Sequence, residues 1–302
     1  MIDKKEIKEN INTEWKIPLE NQKEARYGLC RFIIETCQKL NLSNETTSLA
    51  MLLTNFFYIK KCYFNYDKLT TACAAILLAS KTETSENKFT EICKEYLSFQ
   101  SKSLNQEGIR KIKEIIGKYE IYLLKELNYN VPEEFPYDLI CIYSELLYPD
   151  NDQEIANFAT KIANDSYFTF VNNIYKNHVV ALACIVIAAR FLDIPTILDE
   201  NFKHINNMKK INKKEMTLDE FNKALNQYDN SQYFFNSKDK DKESEKKEEE
   251  LVVDEKYFEG LGLCEKLHPN LTMADLLDCI KIIIEFYEDM NAKSNEEPNN
   301  QN

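Results

Sequence analysis

The sequence predicts an all-α fold, and three observations support that prediction. The chain of 302 residues contains only 5 Gly and 7 Pro, so it has few of the residues that tight turns between many short strands require. No proline occurs between Pro18 and Pro132. Apolar residues recur along that stretch at the three- and four-residue spacing of amphipathic helices. We therefore expect long helices joined by short polar loops.

The first half of the chain is predicted to form five helices, over 24–41, 43–60, 66–82, 87–98 and 104–128. Ser43 lies where its side chain can cap the second helix, because a serine oxygen accepts a hydrogen bond from a free N–H of the first turn. Pro132 and Pro136 then interrupt the pattern, which predicts a linker between two helical groups.

The second half continues with helices predicted over 137–148, 152–173 and 177–193. Residues from about 200 to 255 are rich in Asn and Lys, and the run Ser237–Glu250 has no apolar face. Such a segment buries too little surface to offset its ordering entropy, so we expect a disordered insertion. A last helix is predicted over 273–290, with Thr272 as its N-cap and Asp275 in the capping-box position.

Two apolar segments match each other without gaps. ACAAILLASK (Ala72–Lys81) aligns with ALACIVIAAR (Ala181–Arg190), an offset of 109 residues, which is the size of a small domain. Ile76 falls on Ile185, and Lys81 falls on Arg190. Any two buried helices have some of this composition in common, so the match could reflect burial alone, and this alternative stays open. The match favours two tandem copies of one helical fold.

Composition argues against several function classes. The formal net charge is −12, whereas a phosphate-binding surface needs clustered Lys and Arg. The nine cysteines form no C-x-x-C pair and several lie in apolar segments, which is typical of a reducing compartment. The polar start MIDKKEIKENINTEW has no apolar signal region, and no apolar run is long enough to span a bilayer. A soluble protein is expected.

Motifs for catalysis and cofactor binding are missing from the sequence. Only three histidines occur (His178, His204 and His268), and none is spaced from another His or a Cys pair as a metal ligand. No Gly-rich phosphate loop and no G-x-S-x-G elbow is present. We therefore expect no enzymatic activity, no metal and no cofactor, and a protein that acts by binding another protein.

Two charged residues lie beside apolar helical stripes. Lys81 ends the apolar segment in LASKTE, where its ammonium must either extend to the surface or meet a specific acceptor. Glu120 shares a predicted helix with Leu123, Leu124 and Leu127. A carboxylate in that position is commonly a boundary residue. Periodicity alone therefore leaves the role of both side chains open.

Several motifs, in order along the chain, together resemble the cyclin box. They are EARYGLCRFIIETCQKLNLS, NFFYIKKCYF, LASKTE and EIYLLKELNYNVPEEFPYDLI in the first half, and ATKIANDSYFTFVNNIYKNHVVALACIVIAARFLDIP and LLDCIKIIIEFYEDM in the second. The resemblance implies an N-terminal extension (1–23), a first box (24–131), a linker (132–136), a second box with the insertion (137–290) and a disordered tail (291–302).

The resemblance also implies a partner and a binding face. Cyclins consist of two five-helix domains, and the first domain binds the small lobe and regulatory helix of a cyclin-dependent kinase. The family's lysine of LASKxEE and its fifth-helix glutamate hold that kinase helix, and they correspond here to Lys81 and Glu120. The adjoining contact positions correspond to Glu83, Leu124, Tyr129 and Val131. The implied state is a heterodimer with the kinase, without direct nucleic-acid or membrane contacts.

The sequence departs from the family pattern at two places. Thr84 replaces the second acid of LASKxEE. Thr54 and Asn55 stand where the family has an acidic residue or His followed by Arg, which removes the expected partner of Arg26. Within the family, the chain is most similar to cyclin L and cyclin K, whose kinases act in transcription and RNA processing. That subtype implies a nuclear protein, with a cytoplasmic pool also open.

Two alternative functions remain at this point. A general transcription factor of the TFIIB type also has two cyclin folds, with which it grips DNA; the net charge and the lack of an N-terminal Cys₄ zinc ribbon argue against it. An inert scaffold that keeps the cyclin fold without activating a kinase is supported only by the two departures.

Overall fold

The computed structural model describes residues 7, 12, 16–83, 88–102, 105–132, 134–198, 267–268 and 271–296. Every regular element among these residues is a helix, which confirms the predicted all-α class. The helices are α1 (Leu19–Lys39), α2 (Asn44–Lys60), α3 (Lys68–Glu83), α4 (Phe89–Phe99), α5 (Gln106–Glu126), α6 (Tyr137–Leu147), α7 (Asp152–Ser166), α8 (Val171–Ile174), α9 (Asn177–Phe191) and α10 (Met273–Glu296).

None of these described helices has the length and hydropathy that a bilayer crossing requires. The predicted insertion, at about 200–255, lies outside the described residues.

Helix α3 is the centre of the first helical group. Its residues from Ala72 to Ala79 are all buried, because α1, α2, α4 and α5 pack around it. The small alanines let these neighbours approach closely, while Ile76 and Leu77 fill the spaces between them at 0% and 1% exposure. Each such large side chain contributes about 2 kcal/mol through burial.

Helix α9 has the same place in the second group. It packs against α6, α7 and α10, and its residues from Val179 to Val186 are buried. Ile185, the match of Ile76, is also fully buried. The two matching segments are therefore the central helices of two separate hydrophobic clusters.

Several helices end without the glycine that is usual at the residue after a C-cap. α1, α4 and α9 each end in a Schellman motif, in which the residue after the C-cap adopts a left-handed conformation that favours Gly. That residue is Asn41 (φ 50°), Ser101 (φ 53°) or Asp193 (φ 55°). At the end of α1, for example, the Leu42 N–H donates to the Cys37 carbonyl at 2.9 Å. Short polar side chains thus replace Gly at a modest conformational cost.

The helix predicted over 152–173 is interrupted after Ser166. Ser166 Oγ donates to the Ala163 carbonyl at 2.6 Å, and Thr169 Oγ1 donates to the Ser166 carbonyl at 2.6 Å. These side chains compete with main-chain donors for the carbonyls of the last turn, and the chain turns before α8. The prediction of one continuous helix was wrong because its apolar spacing does not reveal this competition.

Side chains of the first helical group bind main-chain carbonyls at this interruption. Arg26 Nε donates to the Phe168 carbonyl at 2.8 Å. Asn55 Nδ2 donates to the carbonyls of Tyr167, at 2.8 Å, and Thr169, at 3.2 Å. Arg26 therefore has a partner even though the acidic side chain of the family pattern is missing. Asn55, one of the two residues that depart from that pattern, holds the same segment.

Helix α10 returns to α1 and extends the contact between the groups. The rings of Tyr27 and Phe286 meet edge-on with their centroids 5.5 Å apart, and Lys23 Nζ lies 2.8 Å from Asp289 Oδ2. The buried aromatic contact is the stronger contribution, since exposed ion pairs add about 1 kcal/mol or less. These contacts join the last helix to the first helical group.

Candidate protein-docking site

Lys81 occupies the last turn of α3, where a cation interacts favourably with the helix dipole. The turn emerges from the core at this point: Ala79 is fully buried, whereas the Lys81 side chain is 49% exposed. The neighbouring hydroxyl of Thr82 donates to the Ala79 carbonyl at 2.7 Å, so this side chain folds back along the helix. The ammonium thus reaches the surface at the end of the central helix of the first group.

Glu120 on α5 is the acceptor for this ammonium. Lys81 Nζ lies 2.6 Å from Glu120 Oε1, and the Glu120 side chain is only 13% exposed. The two residues are 39 positions apart in the chain, so only the packing of α3 against α5 brings them together. Of the two possibilities for Lys81, extension to solvent and a specific acceptor, the structure shows a half-exposed side chain with an acceptor.

The ion pair leaves binding capacity on both partners. An ammonium has three donors and a carboxylate accepts at about four sites, so the single contact between them uses a fraction of each. The Coulomb gain of a partly exposed pair is small, about 1 kcal/mol or less. A protein partner that offers a carbonyl to Lys81 and an N–H to Glu120 can therefore be received by groups that are already held in position.

Apolar side chains continue the site along α5 and the turn that follows it. Leu124, one helical turn beyond Glu120, is half-buried and packs against the first cluster, as does Val131. Tyr129 is 67% exposed. Glu83 is the last residue of α3, and its side chain lies outside the described part of the chain. The structure therefore brings Lys81 and Glu120 into contact, with Leu124 on the same helix and Tyr129 and Val131 just after it.

The turn after α5 displays Tyr129 through an unusual backbone. Asn128 (φ 50°) and Tyr129 (φ 60°) are consecutive left-handed residues, and the Tyr129 N–H donates to the Leu124 carbonyl at 2.8 Å. A bulky residue in this conformation costs about 1–2 kcal/mol, and such strain concentrates at functional sites. Sequence reasoning did not foresee this turn, although Asn128 was a signal because Asn tolerates left-handed backbone.

The described residues contain no group of three or more His, Cys, Asp or Glu side chains that could hold a metal ion. Burial raises the pKa of the Cys30 thiol to about 12 and that of the Cys93 thiol to about 11. Both thiols therefore stay protonated at neutral pH and lack the thiolate that a nucleophile needs.

Several known proteins are similar in sequence to this chain. The family described as "Cyclin, N-terminal domain" matches residues 2–132, a range that includes Lys81 and Glu120. Cyclin-K of Danio rerio is 24% identical over 196 residues, covering 62% of this chain and 44% of the relative. Cyclin-L1 of Homo sapiens is 26% identical over 188 residues, covering 59% of this chain and 36% of the relative. The chain thus spans less than half the length of these relatives.

Solved structures show a similar fold. A chain in the crystal structure of the yeast RNA Pol II CTD kinase CTDK-1 complex aligns with a TM-score of 0.57 at 18% identity, covering 76% of this chain and 73% of that one. A chain in the structure of the CAK complex from Chaetomium thermophilum, bound to ATP-gamma-S, aligns with a TM-score of 0.51 at 11% identity, covering 91% and 69% respectively.

Proposed function

We propose that this chain is a member of the cyclin family and a regulatory subunit that binds and activates a cyclin-dependent serine/threonine kinase. The observation that supports this proposal best is the contact between Lys81 and Glu120. These are the two positions to which the family resemblance assigns the grip on the kinase's regulatory helix, and they are 39 residues apart in sequence. Their meeting at one surface point is what a shared binding role requires.

The proposed mechanism is a shift in the kinase's conformation. Lys81 donates to carbonyls at one end of the kinase helix, and Glu120 accepts from its N–H groups, while Leu124, Val131 and Tyr129 supply apolar contact. Docking favours the kinase conformation in which the glutamate of its regulatory helix pairs with the ATP-site lysine. The chain contributes free energy that differs between the two kinase conformations, and the kinase supplies the reacting groups.

A role in transcription or RNA processing is the finer part of the proposal. It is supported by the similarity to Cyclin-K and Cyclin-L1 and by the fold shared with a chain of the RNA Pol II CTD kinase complex. A kinase that acts in transcription or RNA processing works where transcripts are made, so we propose that this chain is nuclear. Immunofluorescence of the tagged chain tests this, and exclusion from the nucleus would contradict it.

Binding is tested with a matched pair of double variants. The chain is co-expressed with each member of a panel of cyclin-dependent kinases, and the kinase that co-purifies is measured. Lys81→Ala with Glu120→Ala is expected to lower the recovered kinase at least tenfold. The control is Glu107→Ala with Lys111→Ala, which removes an ion pair of 2.7 Å on the exposed side of the same helix. Equal retention in both double variants would place the interface elsewhere.

Activation is a separate measurement that distinguishes this function from an inert scaffold. The kinase that co-purifies is assayed on a Ser/Thr peptide with and without the chain. A rise of at least tenfold in the rate is expected with the parent chain, since an unpaired regulatory helix leaves the ATP site incomplete. A complex that forms without any rise in rate would establish the scaffold function.

A further inference from the structure

Helix α5 carries a second exposed strip, on a different side from Glu120. Ile115, Lys118, Tyr122 and Lys125 follow an i, i+3, i+7, i+10 spacing, so they lie within about 80° of arc and extend over about 15 Å of the helix. All four side chains are exposed, with Ile115 at 41% and Tyr122 at 41%. Apolar and basic residues alternate along this strip.

The strip points away from the proposed kinase contacts. At 100° per residue, Glu120 lies about 140° and Leu124 about 180° around the helix axis from Ile115. The buried residues Ile112, Ile116 and Leu123 face the core, and around the helix axis they lie between the strip and Glu120. The two surfaces are therefore separate flanks of one helix.

The aromatic member of the strip is held rigidly. The Tyr122 ring packs edge-on against Tyr66, with centroids 5.9 Å apart, and lies 5.7 Å from the ring of Tyr119. Tyr119 is itself fixed, because its hydroxyl accepts a hydrogen bond from the Asp67 N–H at 3.0 Å. A pre-organised aromatic side chain loses little entropy when a partner covers it, which is the property of binding hot spots.

The charges of the strip are available to a partner. Lys118 and Lys125 make no hydrogen bond or ion pair with any residue that the structure describes. The acids nearest to these lysines in sequence are Glu114, Glu120 and Glu126. Glu120 pairs with Lys81 at 2.6 Å and Glu126 with Lys61 at 2.7 Å, while Glu114 is exposed one helical turn before Lys118. Two lysines that form no ion pair among the described residues thus lie beside exposed apolar groups, on a chain whose net charge is −12.

We propose that this strip of α5 is a second docking surface, and that it binds an acidic amphipathic helix of a protein other than the kinase. The apolar face of such a helix covers Ile115 and Tyr122, and carboxylates on its flanks meet Lys118 and Lys125. Helix recognition through apolar anchors at three-, four- and seven-residue spacing is a recurrent mode. The basic residues select the sign of the partner's charge and speed its association.

The probe for this proposal is a synthetic 20-residue helical peptide with leucines along one face and glutamates on both flanks. Its binding to the full chain is measured by fluorescence anisotropy at low and at physiological salt. The matched peptide has glutamine in place of each glutamate. We expect at least tenfold weaker binding of the glutamine peptide, and loss of that difference as salt screens the charges.

Two double variants and one control locate the binding. Lys118→Glu with Lys125→Glu is expected to weaken binding of the acidic peptide at least tenfold. Lys94→Glu, a charge reversal at an exposed position on α4, is expected to change that binding less than twofold. Lys81→Ala with Glu120→Ala is expected to leave peptide binding unchanged, so failure of this surface and failure of the kinase interface are distinguishable. The proposal is overturned if the acidic peptide binds the Lys118/Lys125 variant normally, or if that variant loses the co-purifying kinase.

Discussion

The ends of the two central helices, α3 and α9, differ in what surrounds their last cation. Lys81 reaches a carboxylate on the fifth helix of its own group, at 2.6 Å from Glu120. Arg190, which aligns with Lys81, precedes Phe191, which is 72% exposed and whose ring lies 5.4 Å from that of the partly buried Phe158. Neighbours on all sides constrain the buried parts of both helices, so these keep the same small apolar composition. Their last turns leave the core and are free to acquire different surfaces.

The largest expected effect tests whether the shared parts of α3 and α9 are equivalent. Ile76→Ala and Ile185→Ala each remove a fully buried side chain from a matching position. Each substitution is expected to lower the free energy of unfolding by about 2–5 kcal/mol, because it loses burial and leaves a cavity. Urea unfolding measures both. A loss below about 1 kcal/mol at either position would break the equivalence.

The next effect tests whether the two helix ends have diverged in function. Lys81→Ala alone is expected to reduce kinase binding at least tenfold, which corresponds to about 1.4 kcal/mol. Arg190→Ala is expected to change kinase binding less than twofold, because it lies in the other helical group. Titration of the purified kinase measures both, and circular dichroism melts confirm that the variants are folded. Comparable losses would mean that both ends contact the kinase.

A smaller effect concerns helix α5, which carries both proposed surfaces. A methyl group added at Gly117 meets no atom within 4 Å apart from the helix's own backbone. Gly117→Ala is therefore expected to raise the free energy of unfolding by about 0.5–1 kcal/mol, by lowering the conformational entropy of the unfolded chain. The same measurement on Gly28→Ala in α1, where a methyl is equally unhindered, serves as a second case. A loss of stability in both would show that these helices tolerate no addition.

The smallest expected effect is a pH dependence of stability, and it concerns a carboxylate in the second helical group, Asp165. Glu120 faces an ammonium, whereas Asp165 Oδ2 accepts a hydrogen bond from the Tyr287 hydroxyl at 2.8 Å. Burial raises the pKa of Asp165, and the tyrosine hydrogen bond only partly opposes that rise. Because the folded pKa lies above the unfolded one, this residue's contribution to stability falls as pH rises above about 4.

The corresponding variant is Asp165→Asn, which keeps an oxygen to accept from Tyr287 and removes the titrating group. Its urea midpoint is expected to decline less than that of the parent chain between about pH 4 and pH 7. A parallel pH dependence in the two proteins would show that Asp165 titrates with its ordinary pKa in the folded state.

Much of the fold follows from local pattern. The helices of the first half were predicted to within a few residues at most ends, because each has an apolar stripe and some have a recognisable cap. Ser43 accepts from the Thr46 N–H at 3.0 Å, as predicted for an N-cap. Thr272 caps α10 through the Asp275 N–H at 3.1 Å, also as predicted. Helix limits were less accurate where no cap marks them: α1 begins at Leu19 and α10 continues to Glu296.

The site could be predicted only in part. The family resemblance named Lys81 and Glu120, but their contact depends on how α3 crosses α5, which no local pattern contains. The left-handed Tyr129 was missed because a tyrosine gives no sign of positive φ. The partner of Arg26 was missed for a related reason: it is the Phe168 carbonyl, a group that every residue carries.

That last contact has a consequence for how the protein can change through evolution. Arg26 and Asn55 bind main-chain oxygens, so these contacts depend on the backbone path at 167–169 and not on the identity of the residues there. Substitutions at those three positions leave the acceptors in place. The contacts of Arg26 and Asn55 with this backbone can therefore be kept without correlated substitutions at 167–169. In an alignment of relatives, positions 26 and 55 should show no covariation with residues 167–169, whose main-chain oxygens they bind.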